Sequence, residues 1–251
     1  TGNILMASVL AKGTTIINNA AKEPEIVQLC QFLIKMGASI EGVGTTKIII
    51  EGVSSLHSAN IEVIPDRIEA GTFLIAGALL GELKLNNVIP SHLDSLVSKL
   101  REVGCNLKTT NSSITIHPTD KLNAVDMTTD VFPGFATDLQ AQWVALMATA
   151  NGSSIITDTV YHDRFSHVPE LNRFGANINV KKNTAFVRGV KSLVGAPVMS
   201  TDIRASASLI IAGLIAKGKT EISRIYHIDR GYEKIEEKFR SLGAKIYRES
   251  Q

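Results

Sequence analysis

The sequence predicts an α/β repeat protein, and three observations carry the prediction. An apolar, helix-like run ends in glycine four times, at Gly13, Gly81, Gly152 and Gly218. Each time a β-rich stretch and a second helix-like run follow. Each copy then closes on a second glycine and a small residue: Gly37-Ala38-Ser39-Ile40, Gly104-Cys105-Asn106-Leu107, Gly175-Ala176-Asn177-Ile178 and Gly243-Ala244-Lys245-Ile246. The paired glycines stand 24, 23, 23 and 25 residues apart. Such regular spacing means that one supersecondary unit was copied, and that each copy buries its apolar face against the others. Differences between copies at equivalent positions are therefore where function is to be sought.

The elements follow in order. Ile4 to Ala11 has apolar and small residues on every side, as a buried helix requires, and Gly13 stops it. Thr14 to Asn18 is short and β-branched and reads as a strand. Pro24 opens a second helix, where its missing N–H costs little; Ile26, Leu29, Leu33 and Met36 share one of its faces. Gly37 ends it, and Ala38–Glu41 with Lys47–Glu51 form a hairpin around Gly42–Gly44. The later first helices are Ile68–Leu80, Leu139–Ala150 and Ser206–Ala216. The later second helices are Leu93–Val103, Val168–Phe174 and Tyr232–Leu242. Hairpins at Asn106–His117 and Asn177–Arg188 complete the second and third copies. The fourth copy stops at Tyr247-Arg248, one strand short, and the first begins at its helix, also one strand short. A domain boundary is placed near Ile64-Pro65, because proline cannot sit in a central strand.

Composition narrows the function. A chain of 251 residues, 44% hydrophobic and 20% charged, has the makeup of a globular protein of about two domains. A net charge of +2 provides no basic footprint for nucleic acid or an anionic membrane. No apolar run reaches the roughly 18 residues of a membrane span. Two separated cysteines make no disulfide framework and no secretory signal is visible, so a cytoplasmic protein is expected. The start at Thr1, without Met, suggests an N-terminus further upstream. Cys30 and Cys105 occupy packing positions. The histidines have no metal-ligand spacing, and no glycine-rich phosphate loop is present, so neither metal nor cofactor is expected.

What remains is a set of carboxylates and arginines. Asp66, Asp138 and Asp202 open the first helices of three copies, where each could simply cap the helix. Asp138 and Asp202 also sit beside polar neighbours that a cap does not need: Gln140 and Gln142, Arg204 and Ser206. Arg67, Arg164, Arg204 and Arg230 stand at turns. Arg164 and Arg230 follow an aspartate in the same slot of the third and fourth copies. An arginine near a helix start suits phosphate or carboxylate, which its planar fork binds bidentately; an Asp–Arg ion pair between copies is the other reading.

These residues lie in stretches that resemble the signatures of the UDP-N-acetylglucosamine 1-carboxyvinyltransferases, a family of enolpyruvyl transferases. The stretches are Thr201-Asp202-Ile203-Arg204-Ala205-Ser206-Ala207-Ser208-Leu209, Arg164-Phe165-Ser166-His167-Val168-Pro169-Glu170-Leu171 and Tyr226-His227-Ile228-Asp229-Arg230-Gly231-Tyr232-Glu233. Glu23-Pro24-Glu25-Ile26, Pro65-Asp66-Arg67-Ile68-Glu69 and Ala136-Thr137-Asp138-Leu139-Gln140-Ala141-Gln142 belong with them. The resemblance runs in order over the whole chain. One mild departure is Ile203, where the family signature has leucine.

The resemblance implies a fold of two inside-out α/β barrels, each of three βαβαββ units. Residues 1–64 would be the last unit of the first barrel, and residues 65–251 the second barrel with an incomplete last unit. It implies transfer of the enolpyruvyl group from phosphoenolpyruvate to the 3-hydroxyl of UDP-N-acetylglucosamine, at the start of peptidoglycan precursor synthesis. Asp138 would bind that hydroxyl and take its proton, and the backbone at Val160 would contact the same substrate. Asp202 would face the methylene carbon of phosphoenolpyruvate, Arg230 its anionic groups, and Arg164 and Arg204 would orient the carboxylates. The chain matches the C-terminal three-fifths of the family. A Lys-Asn pair and a loop with the proton-donor Cys or Asp would lie in an N-terminal segment, expected as a partner, without which the chain is not expected to turn over substrate. Two alternatives are a shikimate-type enolpyruvyl transferase and a non-catalytic paralogue that binds sugar nucleotide.

Overall fold

A computed structural model describes residues 1–249. Two compact units divide the chain: Thr1–Pro65 with Val131–Gly134, and Asp66–Asp130 with Phe135 onward.

The first unit holds one copy of the repeat. Helix α1 (Gly2–Ser8) is followed by β1 (Thr14–Asn18), α2 (Pro24–Lys35), β2 (Ser39–Glu41) and β3 (Lys47–Glu51). Glu23 is extended and precedes Pro24 at the first helical position, so the chain turns into α2 without wasting a backbone donor. The three strands pair antiparallel in the order β1-β3-β2, with Thr14 opposite Glu51 and Asn18 opposite Lys47. Ile48 and Ile50 alternate inward with Ile40 and meet Leu5, Cys30 and Leu33.

The second unit holds three copies. The first comprises α3 (Arg67–Leu80), β4 (Leu83–Asn86), α4 (Asp94–Val103), β5 (Asn106–Thr109) and β6 (Ser113–His117). The next comprises β7 (Met127–Thr128), α5 (Gln140–Met147), β8 (Ser153–Thr157), α6 (Val168–Arg173), β9 (Asn177–Lys181) and β10 (Thr184–Arg188). The last comprises β11 (Pro197–Met199), α7 (Ile203–Ile215), β12 (Glu221–Ser223) and α8 (Ile235–Ser241).

Helices are inside this unit and sheets outside. α3, α5 and α7 pack on one another and are buried all round: Ala70–Ala78 in α3, the whole of α5, and Ala205–Ala212 in α7. This is why their sequences show no polar stripe. α4, by contrast, buries only Leu96, Val97, Leu100 and Val103. The third copy shows the complete plan: β7 runs parallel to β8 across α5, and β10 and β9 extend the sheet antiparallel in the order β7-β8-β10-β9.

The structure corrects the end of the fourth copy. The repeat pattern implies a strand after the second helix of this copy, with only the last strand lacking; that strand does not form either, and residues 244–249 carry no regular structure. Topology gives the reason. In the first three copies the strand after the second helix never touches the middle strand; it pairs only with the strand after it, as in β1-β3-β2, β4-β6-β5 and β8-β10-β9. The fourth copy has no such following strand among the described residues, so residues 244–249 have no ladder to join. Side chains hold the segment instead: Arg248 pairs with Asp229 at 2.7 Å and Glu236 at 3.0 Å, and the Arg240 Nε donates to the Ile246 carbonyl. Helix ends also move by a few residues. α1 stops at Ser8 rather than Ala11, and α8 starts at Ile235 rather than Tyr232.

Candidate active site

The site forms at the N-terminal ends of α5 and α7 and in the loop between β8 and α6, all within the second unit. At the head of α5 a single 3-10 turn, Thr137–Leu139, precedes the helix, and Asp138 lies inside that turn. Its side chain does not cap the helix. The Asp138 Oδ1 accepts from the Arg164 Nη1 at 2.7 Å, and its Oδ2 accepts from the Arg204 Nη2 at 2.8 Å. The ion pair between copies is thus realised for Arg204, while Arg164 lies in the same copy as Asp138. All three side chains are a fifth to a third exposed, so the cluster stays open to a ligand. Burial alone would raise the Asp138 carboxyl, but the charges of Arg204 and Arg164 and their hydrogen bonds outweigh it and hold it below the usual carboxylate range.

Asp202 is a helix cap and more. Its Oδ1 accepts from the backbone N–H groups of Arg204 and Ala205, at 2.8 and 2.9 Å, at the start of α7. Its Oδ2 is left to the Ser166 hydroxyl at 3.1 Å, and the Ser166 and Thr201 hydroxyls lie 3.0 Å apart. Burial would raise this carboxyl too. The N–H bonds from Ala205 and Arg204, Ser166 and the Arg164 charge overcome that and leave it depressed. Asp66, by comparison, caps α3 through Ile68 and Glu69.

A buried polar layer lies beneath Arg204. The Tyr232 hydroxyl is 2.7 Å from the Thr72 hydroxyl and receives a hydrogen bond from the Gln142 Nε2 at 3.3 Å. Burial pushes the Tyr232 phenol up, against the pull of Thr72 and the neighbouring Arg204. Arg204 itself is held above its ordinary value: burial opposes its charge, but Asp138 and Tyr232 favour it more strongly. Thr72 comes from α3, Gln142 from α5 and Arg204 from α7, so each central helix contributes to the site's floor.

Arg230 ends a 3-10 turn, Ile225–Arg230, and is exposed. Among the described residues it forms no ion pair; its neighbour Asp229 pairs with Arg248. A β-carbon on the adjacent Gly231 would lie 2.9 Å from Ile203 Cγ2 and 3.8 Å from an Arg204 guanidinium nitrogen. The glycine therefore brings the Arg230 backbone close to the site. Val160 lies in the β8–α6 loop; its N–H is taken by Asp158.

Sequence reasoning missed two participants. His167 is buried, its Nε2 has no partner among the described residues, and burial pushes its pKa down to about 4 against the pull of Asp202 and with the push of Arg164. Asp158 is fully buried and gathers the β8–α6 loop. The signal for Asp158 was local: an aspartate directly after a strand, followed by turn residues, is the pattern of an Asx turn. Among the described residues no group of three His, Cys, Asp or Glu side chains could hold a metal ion, and no helix is long and apolar enough to cross a membrane.

A unit of three helix-cored copies, with carboxylates and arginines gathered at the central helix ends, defines a class. A family profile described as EPSP synthase (3-phosphoshikimate 1-carboxyvinyltransferase) matches residues 1–239. The chain belongs to this family of enolpyruvyl transferases, and its architecture is the enolpyruvyl transferase fold. Among curated relatives, the UDP-N-acetylglucosamine 1-carboxyvinyltransferase of Chlorobium chlorochromatii (strain CaD3) is 57% identical over 250 residues, covering 99% of this chain and 59% of the relative. Its namesake from Bdellovibrio bacteriovorus is 56% identical over 99% of this chain and 60% of the relative. The crystal structure of the enolpyruvyl transferase NikO from Streptomyces tendae superimposes with a TM-score of 0.85 at 30% identity, over 97% of this chain and 58% of that one. An EPSP synthase from Acinetobacter baumannii shares the fold at a TM-score of 0.72 and 21% identity, over 95% of this chain and 58% of that one. The chain thus spans about three-fifths of the length of the relatives it matches.

Proposed function

We propose that this chain carries the second barrel and part of the first of an enzyme that transfers the enolpyruvyl group of phosphoenolpyruvate to the 3-hydroxyl of UDP-N-acetylglucosamine. The observation that carries the reading is the Asp138 carboxylate clasped by Arg164 and Arg204. The similarity to relatives named for that reaction, at 53–57% identity, supports it. In this reading the whole protein is cytoplasmic. A segment corresponding to the rest of the relatives' length supplies the Lys-Asn pair and the proton-donor loop.

The residues divide the work. Asp138 accepts a hydrogen bond from the 3-hydroxyl and takes its proton; held ionised by two guanidinium groups, it is ready as a base at neutral pH. Incoming phosphate and carboxylate groups compete for Arg164 and Arg204. As those arginines turn to the substrate, Asp138 loses part of their pull and becomes more basic. Arg230, which pairs with no carboxylate among the described residues, binds the anionic groups of phosphoenolpyruvate. Asp202 presents its Oδ2 toward the methylene carbon, where a proton is gained on addition and lost on elimination. The Val160 carbonyl faces the sugar nucleotide, since its N–H is committed to Asp158.

The family profile's description favours a second reading, a shikimate-type transferase. Turnover by the whole protein decides between them: phosphate release from phosphoenolpyruvate with UDP-N-acetylglucosamine supports the proposal. Release only with shikimate 3-phosphate overturns it, and release with neither points to a binding paralogue.

A further inference from the structure

Asp158 organises the loop that carries Arg164. Its Oδ1 accepts three hydrogen bonds: from the Thr129 hydroxyl at 2.8 Å and from the backbone N–H groups of Val160 at 3.0 Å and Tyr161 at 2.8 Å. Its backbone carbonyl accepts from the Asn183 amide at 2.9 Å, and the Thr159 N–H donates to the Thr129 hydroxyl at 3.0 Å. The one remaining oxygen, Oδ2, accepts from the Thr137 hydroxyl at 2.6 Å. Thr137 thereby spends its only hydroxyl hydrogen on Asp158 and can only accept from its other side. On that side is the Arg164 Nη1, donating to the Thr137 Oγ1 at 3.0 Å while it also donates to Asp138 at 2.7 Å.

We propose that Asp158 is a positioning residue: acting through Thr137, it fixes the Arg164 guanidinium against Asp138. The chain of donors has one direction, Arg164 to Thr137 to Asp158, because a carboxylate can only accept. A hydrogen bond to a charged group contributes about 1.5–3 kcal/mol, which is enough to select one placement of a flexible arginine. Asp158 is fully buried and has no route to substrate of its own, so its effect on chemistry passes through Thr137.

The role rests on the function proposed above, and the test separates the two. Three variants of the whole protein probe the link. Thr137→Val keeps the shape and removes the hydroxyl. Thr137→Ser keeps the hydroxyl. Asp158→Asn leaves the Oδ1 bonds in place but removes the acceptor and the charge behind Thr137. With UDP-N-acetylglucosamine and phosphoenolpyruvate, Thr137→Val and Asp158→Asn are expected to lower kcat by roughly tenfold to a hundredfold, with KM for the sugar nucleotide within about twofold. Thr137→Ser should recover most of the loss. Unchanged kcat in Thr137→Val, or a loss that Thr137→Ser does not recover, overturns the proposal. If the unaltered protein does not turn over these substrates, the functional reading has failed and thermal unfolding decides the link instead. The drop in midpoint caused by Thr137→Val should shrink in an Arg164→Ala background without vanishing, because the buried Asp158 Oδ2 loses its donor in both; drops of equal size in the two backgrounds would overturn the positioning role.

Discussion

At the scale of single residues, Asp202 shows how one side chain can hold two roles that substitution separates. Oδ1 serves the helix and Oδ2 faces Ser166. Asparagine is as good a cap as aspartate, so Asp202→Asn should leave the unfolding midpoint nearly unchanged while abolishing turnover in the whole protein. Asp202→Ala should lose turnover and about 1 kcal/mol of stability together. Turnover in the asparagine variant within a few-fold of the parent would leave only the cap. His167 makes a different prediction. Its pKa is depressed from 6.5 to about 4 by burial, so the folded state favours the neutral ring. The stability this provides is complete above about pH 6.5 and is lost as pH falls toward 4, since the unfolded chain takes up the proton first. The loss is of the order of 3 kcal/mol at 1.36 kcal/mol per unit. His167→Gln should flatten the pH dependence of the unfolding midpoint between pH 7 and 4, whatever it does to the midpoint itself; an unchanged slope would refute the assignment. The aspartates and arginines of the site were legible because each stands at a helix start or turn, where sequence pattern is informative. His167 was not, because burial decides its importance and a local pattern does not reveal burial; for Asp158 the local pattern marks the turn but not the burial that makes it matter.

At the scale of elements, the repeat's glycines stop helices, and Gly13, Gly37, Gly104 and Gly175 take positive φ. A second class of glycines leaves no mark in the helix pattern. Gly52 and Gly189 follow the last strands of their copies, and their N–H groups donate to the carbonyls of Gly13 and Gly152. A β-carbon at Gly189 would fall 1.7 Å from the Ala150 carbonyl oxygen, and one at Gly52 would fall 1.5 Å from that of Ala11. The obstacle is backbone on both sides, so no rotamer change relieves it. Gly189→Ala should therefore destabilise the second unit by at least the 1–3 kcal/mol typical of overpacking. By contrast, Gly175→Ala, where nothing lies within 4 Å, should lose only the smaller left-handed backbone cost of about 1 kcal/mol. Denaturant midpoints of the two variants measure the difference; equal losses would mean that close approach is not what fixes Gly189. Strand order was hidden from the sequence for a related reason. Alternation shows which residues face inward, but not that the penultimate strand of a copy pairs only with the last. The irregular backbone of residues 244–249 follows from that rule.

At the scale of the whole molecule, the two units have cores of very different size. Among the described residues the first unit buries nine hydrophobic side chains in one cluster, from Leu5 to Ile50, and the second buries forty-seven, from Ile68 to Phe239. Entropy is lost residue by residue, while burial grows faster than chain length, so a small unit with a thin core is the marginal one. Unfolding of this chain should not be two-state. The single tryptophan provides a clean reporter, because Trp143 is fully buried in α5, edge-on to Phe135 at 5.4 Å, and so senses the second unit. Far-ultraviolet circular dichroism senses the helices and strands of both. In a urea titration the dichroism should begin to fall at a lower concentration than the tryptophan fluorescence. Ile50→Ala empties a fully buried position of the first core and should cost about 2–5 kcal/mol there. It should advance the early dichroism phase and leave the fluorescence midpoint where it was. Coincident transitions that shift together in the Ile50→Ala variant would show one cooperative structure, with the smaller core drawing its stability from the larger.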